Sequence, residues 1–206
     1  MDAVQLIALA ASTSLLAGWR LYLVTLVTGL AMKFGWIDLP DRLQALNVIA
    51  SNWVIGVAAL GTVAEFFADK IAWVDSAWDA IHSVVRPLGG ALLSLAIIDS
   101  GDPGWQVASF LLGGAAAFTA HAGKAGARTL VNASPEPFSN IAVSTAEDVT
   151  TAGLLALAIA NPIAAALIAA ILVILSLWLV LAARRALHSL IAGGRRLTRP
   201  IEPDRH

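Results

Sequence analysis

The 206-residue chain has no cysteine, a single tyrosine and few charges: Asp, Glu, Lys and Arg together make 13% of it. Without cysteine it forms no disulfide, ligates no metal through sulfur and offers no thiolate nucleophile. A soluble domain carries roughly a quarter charged residues, so the deficit argues against a water-surrounded fold. Residues 1–10 hold no Lys or Arg, so the first apolar stretch lacks the basic start of a secretory signal and is read as retained. No glycine-rich loop ends in Lys-Ser or Lys-Thr, and neither a serine–histidine elbow nor a zincin helix is present. These absences predict a non-enzyme with no cofactor and no nucleic-acid partner.

What fills the chain is apolar residue: 58% of it is hydrophobic, with a mean hydropathy of +0.78. A helix crosses a bilayer with about 20 mostly apolar residues. The sequence predicts an all-α, polytopic transmembrane bundle of about six helices over 4–32, 46–68, 79–98, 105–129, 139–160 and 162–183. Breaks at Asp99–Gly104, Ser134–Pro137 and Asn161–Pro162 separate the later ones. The division is a transmembrane domain at 1–192 and a basic, disordered cytoplasmic tail at 193–206. From Arg184 on, the chain carries Arg184, Arg185, Arg195, Arg196, Arg199 and Arg205. These put the C-terminus in the cytoplasm by the positive-inside rule and predict contact with anionic headgroups of membrane lipids. An even number of spans then places the N-terminus there too. Lys33 and Arg42, opposed by Asp38 and Asp41, fall in an outside loop. The expected location is the cytoplasmic (inner) membrane, as a multi-pass protein.

Two helix pairs align with each other. Trp53, Leu60, Gly61, Ala64, Phe66 and Ala68 fall in register with Trp105, Leu112, Gly113, Ala116, Phe118 and Ala120. A Leu-Leu-x-Leu-Ala-Ile string recurs at 92–97 and 154–159. Either helices 2–3 and 4–5 are a duplicated pair about an axis along the membrane normal, or lipid-facing hairpins share a composition. The small-residue faces, such as Gly113–Ala117, suit close helix packing and a homodimer, with no face singled out.

Ionisable groups at membrane depth cost several kcal/mol unless paired or hydrated, and this chain places many there on coherent helix faces. Glu65 and Asp69 lie four apart. Asp75, Asp79, His82 and Arg86 form one stripe, and His121, Lys124 and Arg128 a basic one. Ser144, Glu147 or Asp148, and Thr151 form a fourth, and Arg20 is a lone guanidinium in the first helix. Glu65 and Asp69 repel at this spacing, so a cation or proton is expected beside them. Arg86 is predicted to pair with Glu65 or Asp69, and the basic residues of the fourth helix with acids of the second and fifth. Only 88–98 and 149–160 remain purely apolar beyond the stripes, too short to cross alone. Trp36, Trp73, Trp78 and Trp105 suit interfacial belts. Networks of this kind also serve to orient helices. His82 and His121 lack the HxxH or HxxE spacing of a metal site.

At these residues the chain resembles a bacterial family of small membrane proteins known as domain of unknown function 4126. The resemblance rests on Gly18-Trp-Arg-Leu-Tyr22, Glu65-Phe-Phe-Ala-Asp-Lys70 with Trp78-Asp79, and Arg86-Pro-Leu-Gly-Gly90. It extends to His121-Ala-Gly-Lys-Ala-Gly-Ala-Arg128 and Asn132-Ala-Ser-Pro-Glu-Pro-Phe-Ser-Asn140. It implies a multi-spanning bacterial membrane protein and supplies no catalytic residue.

The reading that follows is a translocator, whether channel, transporter or lipid-moving protein, with a charge-lined cavity open to the cytoplasm. Arg20, Glu65, Asp69, Asp79, His82, Arg86, His121, Lys124, Arg128, Glu147 and Asp148 are its expected binding residues. Arg86, Lys124 and Arg128 would take an anion or lipid phosphate, and the acids a proton or cation. The alternatives are a scaffold holding a partner or anionic lipid, and an intramembrane enzyme acting on lipid phosphates.

Overall fold

The computed structural model describes residues 2–36, 48–98, 101–132 and 137–197. Six helices follow one another: α1 (Ala3–Lys33), α2 (Asn52–Ala68), α3 (Ala72–Ile98), α4 (Pro103–Asn132), α5 (Pro137–Ala160) and α6 (Pro162–Leu197). Their starts are chemically marked. The Asp2 carboxylate accepts from the Gln5 amide and the Gln5 side chain accepts from the Asp2 amide, a reciprocal cap. Ser51 caps α2 through the Val54 amide, and Asn161 caps α6 through that of Ala164. Three helices open on proline, which lacks the N–H that a first turn leaves without a partner.

The bundle is all-α and membrane-spanning, as the sequence predicts. Four helices are long and apolar enough to cross a membrane: Ala3–Lys33, Trp73–Ile98, Phe138–Ala160 and Pro162–Ala182. The bounds depart from expectation at four places. α2 starts at Asn52 and not at Leu46, because Ser51 caps it. α3 starts seven residues early, at Ala72, so the whole stripe from Asp75 to Arg86 is helical. α4 continues to Asn132. α6 runs on to Leu197, making the beginning of the expected tail helical. Residues 198–206, the loop charges Asp38, Asp41 and Arg42, and Ser134 lie outside the described residues.

The largest difference is in α1. Arg20 has φ −142° and ψ 73°, which breaks the helix into halves 3–19 and 21–33. The halves double back. Leu9 and Ala31, on opposite sides of the break, share one apolar cluster with Ile97, Ala158 and Ala165 at the far end of the bundle. Ser14 and Leu21 both meet the Gly89–Gly90 pair of α3. Along a straight helix Leu9 and Ala31 would stand about 33 Å apart at 1.5 Å per residue. α1 is therefore a re-entrant hairpin with its tip at Arg20, and α2 to α6 all pack around it. One consequence corrects the expected topology. The N-terminus and the distal end of α6 fall at opposite ends of the bundle, because the two halves of α1 run out and back, whereas the expectation of both termini on one side needs a straight α1.

Close packing around the hairpin rests on glycine. At Gly18 a Cβ would collide with the Ala117 carbonyl of α4, and at Gly61 with the Tyr22 ring. α3 and α4 meet most extensively, through Gly90, Gly113, Ser94 and Ala117. A twofold relating α2–α3 to α4–α5 would require comparable packing of α2 on α5, which is absent among the described residues. Trp53, Leu60 and Phe66 and their counterparts Trp105, Leu112 and Phe118 are all exposed. The matched small residues Gly61 and Gly113, and Ala68 and Ala120, sit instead at packed positions.

Candidate functional site

The ionisable stripes converge at one end of the bundle. There the C-terminal parts of α2 and α4, the N-terminal parts of α3 and α5, and the tip of the α1 hairpin come together. Arg20, Glu65, Asp69, Asp79, His82, Arg86, His121, Lys124 and Arg128 are all buried. Glu147 and Asp148 form the rim, with side chains 17% and 23% exposed.

Arg20 is not a lone guanidinium. It pairs with Asp69 and reaches Asp148 at 2.8 Å and Glu147 at 3.6 Å. It also donates to the Ser144 carbonyl at 3.2 Å. Asp69 caps the C-terminus of α2 and accepts from Lys124 at 2.9 Å. Its backbone carbonyl takes bonds from the Arg128 guanidinium and, at 3.4 Å, from Asn140 Nδ2. Lys124 donates as well to the Trp19 carbonyl at 3.2 Å, satisfying an acceptor freed where the half-helix 3–19 ends. The tip is thereby held by α2, α4 and α5 together.

A second group centres on Arg86, which donates to Glu65 at 2.7 Å, Asp79 at 2.8 Å and His121 Nδ1 at 2.8 Å. The expected pairing of Lys124 with acids of α2 and α5 holds, to Asp69 and to Glu147 at 3.7 Å. Arg86 takes Glu65 and not Asp69. Arg128 pairs with Asp75 of α3 at 3.1 Å, a partner the choice of α2 and α5 left out. The cations expected beside Glu65 and Asp69 are thus the protein's own.

His82 stands apart from this pairing. It stacks on Trp78 with ring centres 4.4 Å apart and bonds the Tyr22 hydroxyl at 3.1 Å. Trp78 is therefore a packing partner, whereas Trp36, Trp73 and Trp105 are exposed as belt residues would be. Sequence reasoning passed over Lys70, which bonds Ser144 Oγ at 2.7 Å and Asp148 at 3.2 Å while lying over the Phe66 ring. It also passed over Ser83, bonded to His121 at 3.0 Å. A pocket of about 210 Å³ between α3 and α4, lined by Asp75, Ser76, Asp79, Ser83 and Arg128, borders both groups.

The residues of this network all lie within the stretch that matches a known family. The family model described as domain of unknown function DUF4126 matches residues 7–182. The chain belongs to this family. No curated protein and no solved structure matches it. The DUF4126 match spans the hairpin and all five surrounding helices up to the basic end of α6. Within it, the Gly18-Trp-Arg-Leu-Tyr22 string forms the hairpin tip. Gly18 admits α4, the Trp19 carbonyl receives Lys124, Arg20 turns the chain, and Tyr22 bonds His82.

Proposed function

We propose that this DUF4126 protein is a small translocator of the cytoplasmic membrane, in which the hairpin tip and its ion pairs form the gate. The observation carrying this reading is the break of the central helix at Arg20, inside a cluster of charges from four other helices. Interrupted helices are tolerated in a bilayer where protein or a water-filled space surrounds them, and transporters build binding sites at such breaks. The basic groups that an anion or lipid phosphate would use are occupied by Asp69, Asp79, Glu65 and Glu147. Entry of a substrate would therefore proceed by exchange of ion-pair partners, and protonation of a carboxylate would release its cation. The Arg-rich end of α6 supports a cytoplasmic placement of the charged end.

The test is reconstitution of the purified protein into liposomes loaded with proton- and halide-sensitive dyes, alongside a labelled-lipid assay. Flux above protein-free vesicles is expected, with Lys124→Ala or Glu65→Gln abolishing it. Absence of flux of every probe, or flux indifferent to both changes, would defeat the reading. The second reading, a scaffold that holds a partner at its charged end, is favoured by the mutual pairing of buried acids and bases. It predicts a stable protein with no flux.

A further inference from the structure

Glu147 differs from the other acids of the network. Asp69, Asp79, Glu65 and Asp148 all lie within 3.2 Å of a cation, ordinary lengths for a charge-assisted hydrogen bond or slightly longer. Glu147 Oε2 stands 3.6 Å from Arg20 and 3.7 Å from Lys124 and makes no hydrogen bond among the described residues. Its two cations belong to different helices and have side chains only 2% and 1% exposed, whereas Glu147 itself is 17% exposed. Its Oε2 is itself buried, and the exposed part of the side chain lies elsewhere.

Charge balance makes the same point. Around the tip, Arg20, Lys124 and Lys70 are three cations contacting two carboxylates, Asp69 and Asp148. Glu147 balances these three, while the neighbouring Arg86 group carries one carboxylate in excess. The half-helix 21–33 also begins here, and a helix N-terminus favours a negative charge.

We infer that Arg20 and Lys124 form a binding site for a small monovalent anion, and that the Glu147 carboxylate is a tethered occupant which the anion displaces. The inference deepens the translocator reading by naming its substrate class, but the site can be tested without any transport. When the carboxylate swings outward, a halide-sized ion restores neutrality between the same two cations. No bond is made or broken.

The full-length protein in detergent provides the test, with bromide as probe in a gluconate background. Thermal unfolding is followed for the wild type, Glu147→Ala and the shape-preserving Glu147→Gln. Both variants should show an unfolding midpoint that rises with bromide, and calorimetry should give bromide binding at least tenfold tighter than to the wild type. Adding Lys124→Met to Glu147→Gln should remove both effects. Bromide binding no tighter in either variant than in the wild type, or binding that survives loss of Lys124, would overturn the site. If the variants bind bromide while liposomes show no flux, the site stands and the translocator reading falls.

Discussion

Arg86 Nη1 donates to His121 Nδ1 across 2.8 Å, and this one contact fixes the state of the imidazole. A guanidinium can only donate, so Nδ1 must carry a lone pair and the ring proton must sit on Nε2. There it faces Ser83 Oγ at 3.0 Å, whose own hydroxyl donates to the Asp79 carbonyl at 2.9 Å. A second ring proton would set two donors against each other, so a proton and Arg86 compete for the same atom. Nitrogen-15 spectra of histidine-labelled protein at neutral pH should show one ring with an unprotonated Nδ1 and a protonated Nε2. A ring protonated at Nδ1 in every histidine would contradict the geometry. Replacing His121 by Phe should cost about 1–3 kcal/mol, the range for stranding a buried donor.

Arg86 itself is predicted to be the most costly single residue to remove. It is fully buried between Glu65 and Asp79, and Arg86→Met leaves both carboxylates without their cation. Breaking a buried pair from one side costs about 3–5 kcal/mol, whereas replacing all partners by apolar or neutral groups is often tolerated. Unfolding in mixed micelles should therefore show the triple variant Glu65→Gln/Asp79→Asn/Arg86→Met to be more stable than Arg86→Met alone. Equal losses in both would mean that the charges are hydrated and their pairing is without consequence.

Much of this arrangement was legible in the sequence. Pro162 marked a helix start, the breaks around Pro103 and Pro137 placed two more to within two residues, and the steps of three and four among Asp75, Asp79, His82 and Arg86 placed them on one face. All eleven expected site residues do meet at one end of the bundle. The individual pairings were not legible, because helical spacing gives the face of a residue but not the angle at which that face meets its neighbours. Arg128 accordingly found Asp75 on α3. The hairpin was missed for another reason: hydropathy along 4–32 is the same whether the chain crosses or turns. The signals available were an apolar run longer than a crossing needs and a charge at its centre. Lys70 was read as part of a connection and not as a site residue, although Ser144 and Asp148 hold it.

Glycine positions separate into two classes with opposite expectations. A Cβ on Gly113 would lie 2.7 Å from the Gly90 carbonyl and press on Ser94 of α3, at the most extensive helix contact. Gly113→Val should destabilise by about 1–3 kcal/mol or more, the cost of overpacking. Gly153 on α5 has open space around it, and Gly153→Ala should gain about 0.5–1 kcal/mol from helix propensity. Thermal unfolding of the two variants in the same detergent decides. A neutral Gly113→Val would show that α3 and α4 are not packed through this face.

The re-entrant hairpin makes a prediction about sidedness that a six-crossing bundle does not share. If α1 turns back at Arg20, residue 4 and residue 51 lie at one end of the bundle and residue 185 at the other. All three positions can be probed directly, since the chain has no cysteine of its own. Val4 and Arg185 are exposed, and Ser51 caps α2 at the end where α1 finishes. Single variants Val4→Cys, Ser51→Cys and Arg185→Cys are labelled with a membrane-impermeant maleimide in right-side-out vesicles and again after permeabilisation. Val4→Cys and Ser51→Cys should react together, and Arg185→Cys only once the membrane is opened. A straight α1 would instead separate Val4 from Ser51 and pair it with Arg185. That outcome would place Arg20 in an ordinary crossing helix and remove the structural basis for a gate at its position.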